Sequence, residues 1–232
     1  MERPIHPIAN RMNNIASRIR RPARHVLAAS VLLASGAWAA EPAMYVGLHA
    51  GANQLSDWSA TVGLGGGVSL PGKLSLDSGG HVGIFAGRQT ENARFELEYQ
   101  AGRFDITAIQ LGALRQNVST SGRYQALTFN AYRTHPFSSS VTGYAALGIG
   151  WGSARLPQMG FTGGCNCFAG ASKSGLAYLG RLGLEWKLAE PHQLFAQYTL
   201  LSLPKPAAAG TPSISYSRKR VDVLSVGYRY VF

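Results

Sequence analysis

Paired carboxylates are the first group in this sequence whose chemistry could serve a site. Glu96 and Glu98 are separated by one residue, a spacing that places both side chains on one face of an extended strand. Such a pair can act as general acid and base. Cations share the predicted face, however, so we interpret the group as a buried ion-pair network rather than as a catalytic pair. Its predicted members are Arg94, Glu96, Glu98, Arg181, Glu185, Lys187 and Arg229.

A histidine close to serines is the second candidate. His135 precedes Ser138, Ser139 and Ser140, and a serine nucleophile requires a histidine base with an acid that orients it. The segment has the composition of a turn, because Pro136 cannot donate to a strand ladder. We therefore expect no catalytic residue here, and we predict no metal site and no cofactor site in the chain.

Two cysteines form the third candidate. Cys165 and Cys167 are separated by one residue and flanked by glycines. In an oxidising compartment they would bond to each other and close a very small ring at a loop tip. Intermolecular disulfides or a labile redox switch are the alternatives. Two thiolates without a neighbouring histidine fall short of a metal-ligand set.

Alternation with a period of two predicts the strands that carry these residues. In the last twelve residues, 221–232, one face is large and apolar and the other is smaller and carries Arg229. Seven earlier segments repeat this alternation. The predicted strands cover 44–53, 81–88, 94–104, 124–134, 141–151, 176–188, 193–203 and 221–232.

The connections between these strands alternate between long and short. The long ones cover 54–79, 105–123, 152–174 and 204–220. In a membrane a sheet must close on itself to satisfy its backbone hydrogen bonds. We therefore predict an all-β fold, an eight-stranded antiparallel up-and-down transmembrane β-barrel with four long extracellular loops and short periplasmic turns. A soluble barrel or sandwich is the alternative, and it would place the apolar faces inside.

The interior of such a barrel bears on function. Eight strands leave a lumen only just wide enough for side chains to fill. The predicted ionic residues would therefore form a salt-bridged plug rather than a channel, because unpaired buried charges are very costly.

The N-terminus has the layout of an export signal. Four arginines between residues 18 and 24 precede the apolar run 26–35, and Ala-Trp-Ala at 37–39 supplies small residues where a signal peptidase reads. We predict a signal peptide over residues 1–39, cleaved near Ala39, and a barrel domain over residues 40–232. An amphipathic N-terminal helix is the alternative.

Charge gives little support to a nucleic-acid partner. The formal net charge is +11, from 22 Lys and Arg against 11 Asp and Glu. Residues 1–39 hold six arginines and one glutamate, so the remainder has 16 cations against 10 anions, a net charge of +6. This charge is spread along the chain, and we predict no nucleic-acid partner.

Five short segments give the chain a resemblance to a known family. They are YVGLHAG at 45–51, RFELEY at 94–99, GIGW at 148–151, GLEW at 183–186 and GYRYVF at 227–232. Over residues 43–232 the chain resembles the small eight-stranded outer-membrane barrels of the OmpA/opacity type. The resemblance implies that the barrel assembly machinery reads the aromatic end of the last strand, at Tyr228, Tyr230 and Phe232. Unlike full-length OmpA-type proteins, the chain ends at the barrel, so no periplasmic domain is expected.

These observations favour a structural, surface-exposed role in the bacterial outer membrane, as a monomer. Cations in the predicted loops favour contact with anionic lipopolysaccharide or with acidic host polymers. They are Lys73, Arg115, Arg123, Arg155, Lys173, Arg218, Lys219 and Arg220. Trp58 and Phe161 are expected either to be exposed anchors for a surface ligand or to fold back on the rim. A narrow diffusion pore is the alternative function, as is a lipid A-modifying hydrolase, whose His-x-Ser-Asn pattern the sequence lacks.

Overall fold

The computed structural model describes residues 43–232, and the predicted signal peptide lies outside them. Within this range the chain forms twelve strands. They are β1 Ala43–Gln54, β2 Trp58–Gly65, β3 Val68–Asp77, β4 Gly79–Gln89, β5 Ala93–Leu111, β6 Leu114–Pro136, β7 Val141–Leu156, β8 Ala171–Ala189, β9 His192–Leu203, β10 Ala207–Ala208, β11 Ser213–Tyr216 and β12 Lys219–Val231. No helix in the described range has the length and hydropathy to cross a membrane.

Eight of these strands form a closed antiparallel ring. Going round the ring, β1 is followed by β4, β5, β6, β7, β8, β9 and β12, each hydrogen-bonded to the next. The ring closes where β12 pairs with β1, with Tyr45 opposite Val231. At one end, short turns at 90–92, 137–140 and 190–191 connect the strands. The predicted eight-stranded architecture is confirmed.

The outer face of the ring is apolar. On β5, Phe95, Leu97 and Tyr99 point outward with 46%, 55% and 44% of their surfaces exposed. Leu147 on β7 is 75% exposed, and Trp151 on the same strand is 62% exposed. The intervening residues face the interior, because successive side chains of a strand point to opposite faces. The soluble alternative, with the apolar faces inside, is therefore wrong.

All four long connections contain strand residues, although the sequence predicted loops there. Residues 105–123 are not a loop, because β5 and β6 continue to a two-residue turn at Gly112 and Ala113. Gly112 has a φ of +57°, a conformation that favours glycine. The hairpin of β2 and β3 pairs with the upper part of β5, and the hairpin of β10 and β11 pairs with β2. Residues 157–170 carry only a bridge between Met159 and Phe168.

We call this end of the molecule the head: strands β2, β3, β10 and β11, the ends of β5 and β6 at 105–121, and residues 157–170. Its sheet curls around an apolar core that continues into the adjoining half of the ring interior. Trp58 lies in this core with no exposed surface, and Phe161 packs partly buried against it. Trp58 is therefore not an exposed anchor, and the expectation that it folds back on the rim holds.

Candidate functional site

The interior of the ring near the short turns holds the ionizable residues that the sequence singled out. Six of the seven predicted network residues are buried there, three arginines and three glutamates. They are Arg94, Glu96 and Glu98 on β5, Arg181 and Glu185 on β8, and Arg229 on β12. Their charges sum to zero, as burial in a low-dielectric interior requires.

Arg181 and Glu98 form the centre of this network. The Arg181 Nη2 atom lies 2.8 Å from both carboxylate oxygens of Glu98, and its Nε donates to Thr199 Oγ1 at 2.9 Å. Asn130 Nδ2 donates to the second Glu98 oxygen at 2.7 Å. Charge-assisted hydrogen bonds of this kind are about twice as strong as neutral ones. Gly148, opposite Asn130, leaves the space that the amide needs, since an added Cβ would lie 2.0 Å from its oxygen.

Glu96 is held by phenols. Tyr132 donates to Glu96 Oε1 at 2.6 Å, and Tyr45 donates to Oε2 at 3.2 Å. The nearest arginine nitrogen, Nη1 of Arg181, is 3.6 Å from Glu96 and donates to the Tyr132 hydroxyl at 2.6 Å. Tyr132 therefore links the carboxylate of Glu96 to the guanidinium of Arg181.

Glu185 joins two arginines nearer the short turns. Arg94 approaches it with two nitrogens, at 2.6 and 3.0 Å, and Arg229 donates to the same carboxylate. The guanidinium of Arg229 also lies over the ring of Tyr45, at 4.7 Å from its centroid. Aromatic faces attract such a cation, especially where water is excluded. Strands β5, β8 and β12, which are not neighbours in the ring, thus meet across the lumen.

Lys187 lies outside this buried set. It is exposed at the short-turn mouth of the ring, beside a cavity of about 320 Å³ whose lining also includes Arg94, Glu185 and Gln193. No carboxylate of the described residues lies within 4.0 Å of its ammonium group. It lies near the end of β8, where the side chain is exposed to solvent.

Two histidines also belong to the interior. His49 lies 2.7 Å from Glu98 and stacks on His81, with ring centroids 5.2 Å apart. His81 in turn pairs with the hydroxyl of Tyr124 at 2.9 Å. The alternation of β1 turns His49 inward, and its partner Glu98 lies two strands away in the ring. Strand periodicity gives the direction of a side chain and not the residue opposite it across the lumen.

The histidine and serine candidate has the geometry of a turn. His135 packs edge-on against Phe137, with ring centroids 5.5 Å apart. The hydroxyl of Ser138 accepts hydrogen bonds from the backbone of Ser140 and Val141, at 3.3 and 3.1 Å. Ser138 thus stabilises the turn between β6 and β7, and the arrangement provides no nucleophile activated by a histidine.

The cysteines lie in the irregular segment of the head. Their Cα atoms are 5.1 Å apart, a separation that a disulfide can bridge, and their sulfur atoms face each other. Cys165 is exposed whereas Cys167 is buried in the head core beside Phe168. Thr162 N donates to Gln116 Oε1 at 2.8 Å, which attaches the segment to β6.

Lys219 connects the two hairpins of the head. This buried lysine donates to the carbonyl and hydroxyl of Ser56 and to the carbonyl of Asp57 at 3.1 Å. Trp58 Nε1 donates to the carbonyl of Ser217 at 2.8 Å. On the surface, a hydrogen bond from Lys73 lowers the pKa of Asp57, and the two groups lie 2.7 Å apart.

The aromatic residues of the last strand face outward near the short-turn end. Phe232 is 64% and Tyr230 39% exposed, and Tyr228 is half-buried beside His192. Trp151 and Trp186 also face outward. Aromatic side chains of this kind gather at the two interfaces of a membrane barrel.

Comparison with known structures supports the same fold. Neisserial surface protein A is 18% identical, with a TM-score of 0.53, and the match covers 82% of this chain and 97% of that one. The outer membrane protein OprG from Pseudomonas aeruginosa is 14% identical, with a TM-score of 0.56 and the same coverage. At these identities the similarity shows the fold alone. No curated protein sequence matches the chain.

The family comparison gives the assignment. The family described as "Outer membrane protein beta-barrel domain" matches residues 25–232. The match covers the whole ring and the head, and the ring has the apolar exterior that an outer membrane requires. The chain therefore belongs to the outer membrane protein β-barrel domain family and resides in the bacterial outer membrane.

Proposed function

We propose that the protein is a non-conducting outer-membrane barrel that presents its head to partners at the cell surface, in envelope integrity or adhesion. The observation that carries the proposal is the head itself. Its hairpins extend the sheet of the barrel and surround an apolar core that continues into the ring, with Trp58, Leu74 and Ile109 without exposed surface. A platform built in this way keeps a fixed shape, and a fixed shape limits the entropy lost on binding.

The filled interior supports the absence of a pore. Arg181 and Glu98 occupy the lumen near the short turns, and apolar side chains from the head core occupy the other half. We expect no steady single-channel openings when the refolded chain is inserted in a planar bilayer. Steady openings of uniform conductance would refute the plug and favour the diffusion pore.

The exposed charge of the head indicates the chemistry of a partner. Arg115 at the hairpin tip and Arg218 on the final connection are exposed, whereas Lys219 is buried and is not available to a ligand. We propose an acidic surface polymer as the partner. Heparin serves as the probe, because attraction between exposed charges falls with salt.

A matched pair of variants tests this partner. The Arg115→Gln/Arg218→Gln variant should elute from immobilised heparin at lower salt than the wild type. Arg133→Gln removes an exposed arginine from β6 at the opposite, short-turn end, so it should elute with the wild type. Equal elution of all three proteins would refute binding through the head.

We also propose that the barrel assembly machinery reads Tyr228, Tyr230 and Phe232, and that the folded protein is a monomer. The outward position of Phe232 and Tyr230 leaves their rings accessible. Phe232→Ala should lower the fraction of heat-modifiable barrel in outer membranes, whereas Phe137→Ala, which changes an equally exposed ring in a turn, should not. Equal assembly of both variants would contradict the first proposal. A dimer mass in detergent would contradict the second.

We propose that Cys165 and Cys167 form an intramolecular disulfide in the exported protein, and the short separation of their Cα atoms supports the proposal. Intact-mass measurement with and without reductant should show a gain of two hydrogen atoms on reduction, since the reductant supplies two electrons and two protons for the two thiols. Two thiols that alkylate in the native, unreduced protein would contradict it.

Exposed cations also lie on the outer wall of the ring, next to the apolar belt that its outward-facing side chains form. We propose that they contact the phosphates of lipopolysaccharide in the outer leaflet, because long-connection ends of such barrels face the cell exterior. Exposed Arg123 and Arg155 lie at this level of the wall.

A further inference from the structure

Three arginines stand side by side on the outer wall of the barrel. Arg103 on β5 is directly opposite Arg123 on β6, and Arg123 is directly opposite Arg155 on β7. All three point outward, because their neighbours Phe104 and Ala154 are buried inside. Directly opposite side chains on paired strands have Cβ atoms about 4.5–5.5 Å apart.

This row is electrostatically unfavourable by itself. Like charges directly opposite on paired strands destabilise a sheet. Asp105 lies 4.0 Å from Arg103, but both side chains are mostly exposed, at 60% and 73%. Within residues 43–232, no carboxylate lies within 4.0 Å of Arg123 or Arg155. An anion between these guanidinium groups would remove the repulsion.

A cavity beside the row has donors that suit such an anion. Its volume is about 280 Å³, and Arg123 and Arg155 line it together with the hydroxyl-bearing Ser121 and Ser172. Small-molecule pockets are typically about 300–1,000 Å³, so this space fits a headgroup and not a whole lipid. Guanidinium groups match phosphate oxygens with paired hydrogen bonds.

The position of the row identifies the kind of molecule. Two residues below it, the next row runs through Ala101 on β5, Gln125 on β6 and Ser153 on β7. Two residues further lie Tyr99, Leu127 and Trp151, which are exposed in the apolar belt. At a rise of about 3.3 Å per residue, four residues separate the charges from the belt by roughly 13 Å along the strand. A ligand that contacts both is an amphiphile with a phosphate above its acyl chains.

We propose that Arg123 and Arg155, with Arg103 beside them, bind a phosphate of a lipopolysaccharide molecule whose acyl chains cover Leu127 and Trp151. This inference deepens the proposed function and rests on its lipopolysaccharide contact. It does not depend on adhesion through the head. The acyl chains bind to the belt, and the arginines determine which headgroup is retained.

The test uses the refolded full-length chain in lipid-free detergent micelles. The probes are bisphosphorylated lipid A, the same lipid with both phosphates removed, and inorganic phosphate. Binding is followed by native mass spectrometry and by the thermal unfolding midpoint. The Arg123→Gln/Arg155→Gln variant is compared with Arg88→Gln/Arg133→Gln, which removes two exposed arginines from the short-turn ends of β4 and β6, outside both the row and the head.

Bisphosphorylated lipid A should bind the wild type and the control equally and raise both midpoints. The row variant should bind it at least tenfold more weakly. Without lipid, the row variant should unfold at the same or a higher temperature than the wild type, because its charge repulsion is gone. With lipid A the wild type should unfold at the higher temperature, and without it the row variant should be at least as stable. If the arginines only stabilised the fold, the row variant would be the less stable protein under both conditions.

Three results would overturn the inference. They are equal affinity of the row variant and the wild type, equal binding of dephosphorylated lipid A, and an equal shift with millimolar inorganic phosphate, which would mark a site for soluble anions. Retention on heparin, measured on the same variants, separates this inference from the proposed function. A row variant that keeps both heparin retention and lipid A affinity refutes the lipid site and the proposed lipopolysaccharide contact, and it leaves partner binding through the head intact.

Discussion

Strand β5 runs from the membrane-spanning half of the barrel into the head, and its two parts have opposite chemistry. On β5, Phe95, Leu97 and Tyr99 point outward, whereas Phe104 and Ile106 further along point inward and are buried. The strand does not rotate between these levels, so the apolar side chains change from one face to the other. What lies outside the wall explains the change: lipid in one half and water in the other.

The two interiors consequently hold together by different interactions. Near the short turns, Arg181 and Glu98 depend on directional hydrogen bonds, and removal of one member leaves a buried charge without a partner. In the head, Trp58 and Leu74 depend on close packing, and removal of atoms leaves a cavity. Substitutions that remove a charge should therefore destabilise the ionic interior, and substitutions that remove side-chain volume should destabilise the head.

Loss of an arginine from the buried ionic network should give the largest decrease in the free energy of unfolding. Arg181→Met leaves Glu98 and Glu96 buried without their guanidinium, and breaking a buried pair costs about 3–5 kcal/mol. The free energy of unfolding in urea and detergent measures it. Lys187→Met is the control, since this exposed cation should change stability by less than about 0.5 kcal/mol. The Arg181→Met/Glu98→Gln double variant should be more stable than Arg181→Met, and a less stable one would contradict the ion-pair account.

A cavity in the head should destabilise that end alone. Leu74→Ala removes a side chain without exposed surface, and such truncations cost about 2–5 kcal/mol. Amide hydrogen exchange should accelerate in β2 and β3 while the barrel strands keep their protection. Leu114→Ala, at an exposed position of the hairpin, should leave exchange unchanged. Acceleration throughout the ring would show that head and barrel are one cooperative unit.

Removal of the hydrogen bonds that Lys219 makes in the head should destabilise the head by an intermediate amount. Lys219→Met deletes the ammonium group that donates to Ser56 and Asp57, and hydrogen bonds to charged groups contribute about 1.5–3 kcal/mol. Limited proteolysis should then cut near Ser56 in the variant. Arg220→Gln, at the exposed neighbouring position, should resist cleavage as the wild type does. If both variants resist proteolysis equally, Lys219 does not hold the segment at Ser56 in place.

The surface pair of the head should contribute least. Lys73 lowers the pKa of Asp57, so the carboxylate stabilises the folded state above its unfolded pKa, and that contribution is lost as the pH falls through the folded pKa. Exposed pairs contribute about 0.2–1 kcal/mol. Lys73→Gln should therefore change hydrogen exchange in β3 slightly at neutral pH and not below the folded pKa. An effect that persists in molar salt would exclude an exposed ion pair.

The period-two alternation in the sequence was sufficient to predict the strands of the barrel but not those of the head. The eight strands were predicted because lipid selects apolar side chains at every second position. Where the apolar side chains change face, two of them become neighbours in sequence and the alternation ends. Such neighbours are Tyr178 and Leu179, Leu200 and Leu201, and Val223 and Leu224. The predicted strands therefore stopped near the level where the head begins.

Local alternation in the sequence cannot predict which strands pair in the head. It also cannot predict which side chains meet across the lumen. β2 pairs with β11, so Val62 lies opposite Ile214, more than a hundred residues away in sequence. Trp58 and Val62 alternate with small polar residues, but the glycines that follow indicated a loop. For the ionic residues, the inward direction of Glu98 followed from periodicity, whereas its contact with His49 depends on the curvature of the closed ring.

The closure of the ring between β1 and β12 has a consequence for how a cell can recognise a finished barrel. Arg229 arrives on β12, the strand that completes the ring, and it carries the third positive charge of the interior. Before β12 is in place, two buried arginines face three glutamates, so the interior holds an excess negative charge that the membrane disfavours. Completion of the sheet and neutrality of the lumen are therefore reached in a single step. An unfinished molecule is penalised twice, by an open edge and by an uncompensated carboxylate.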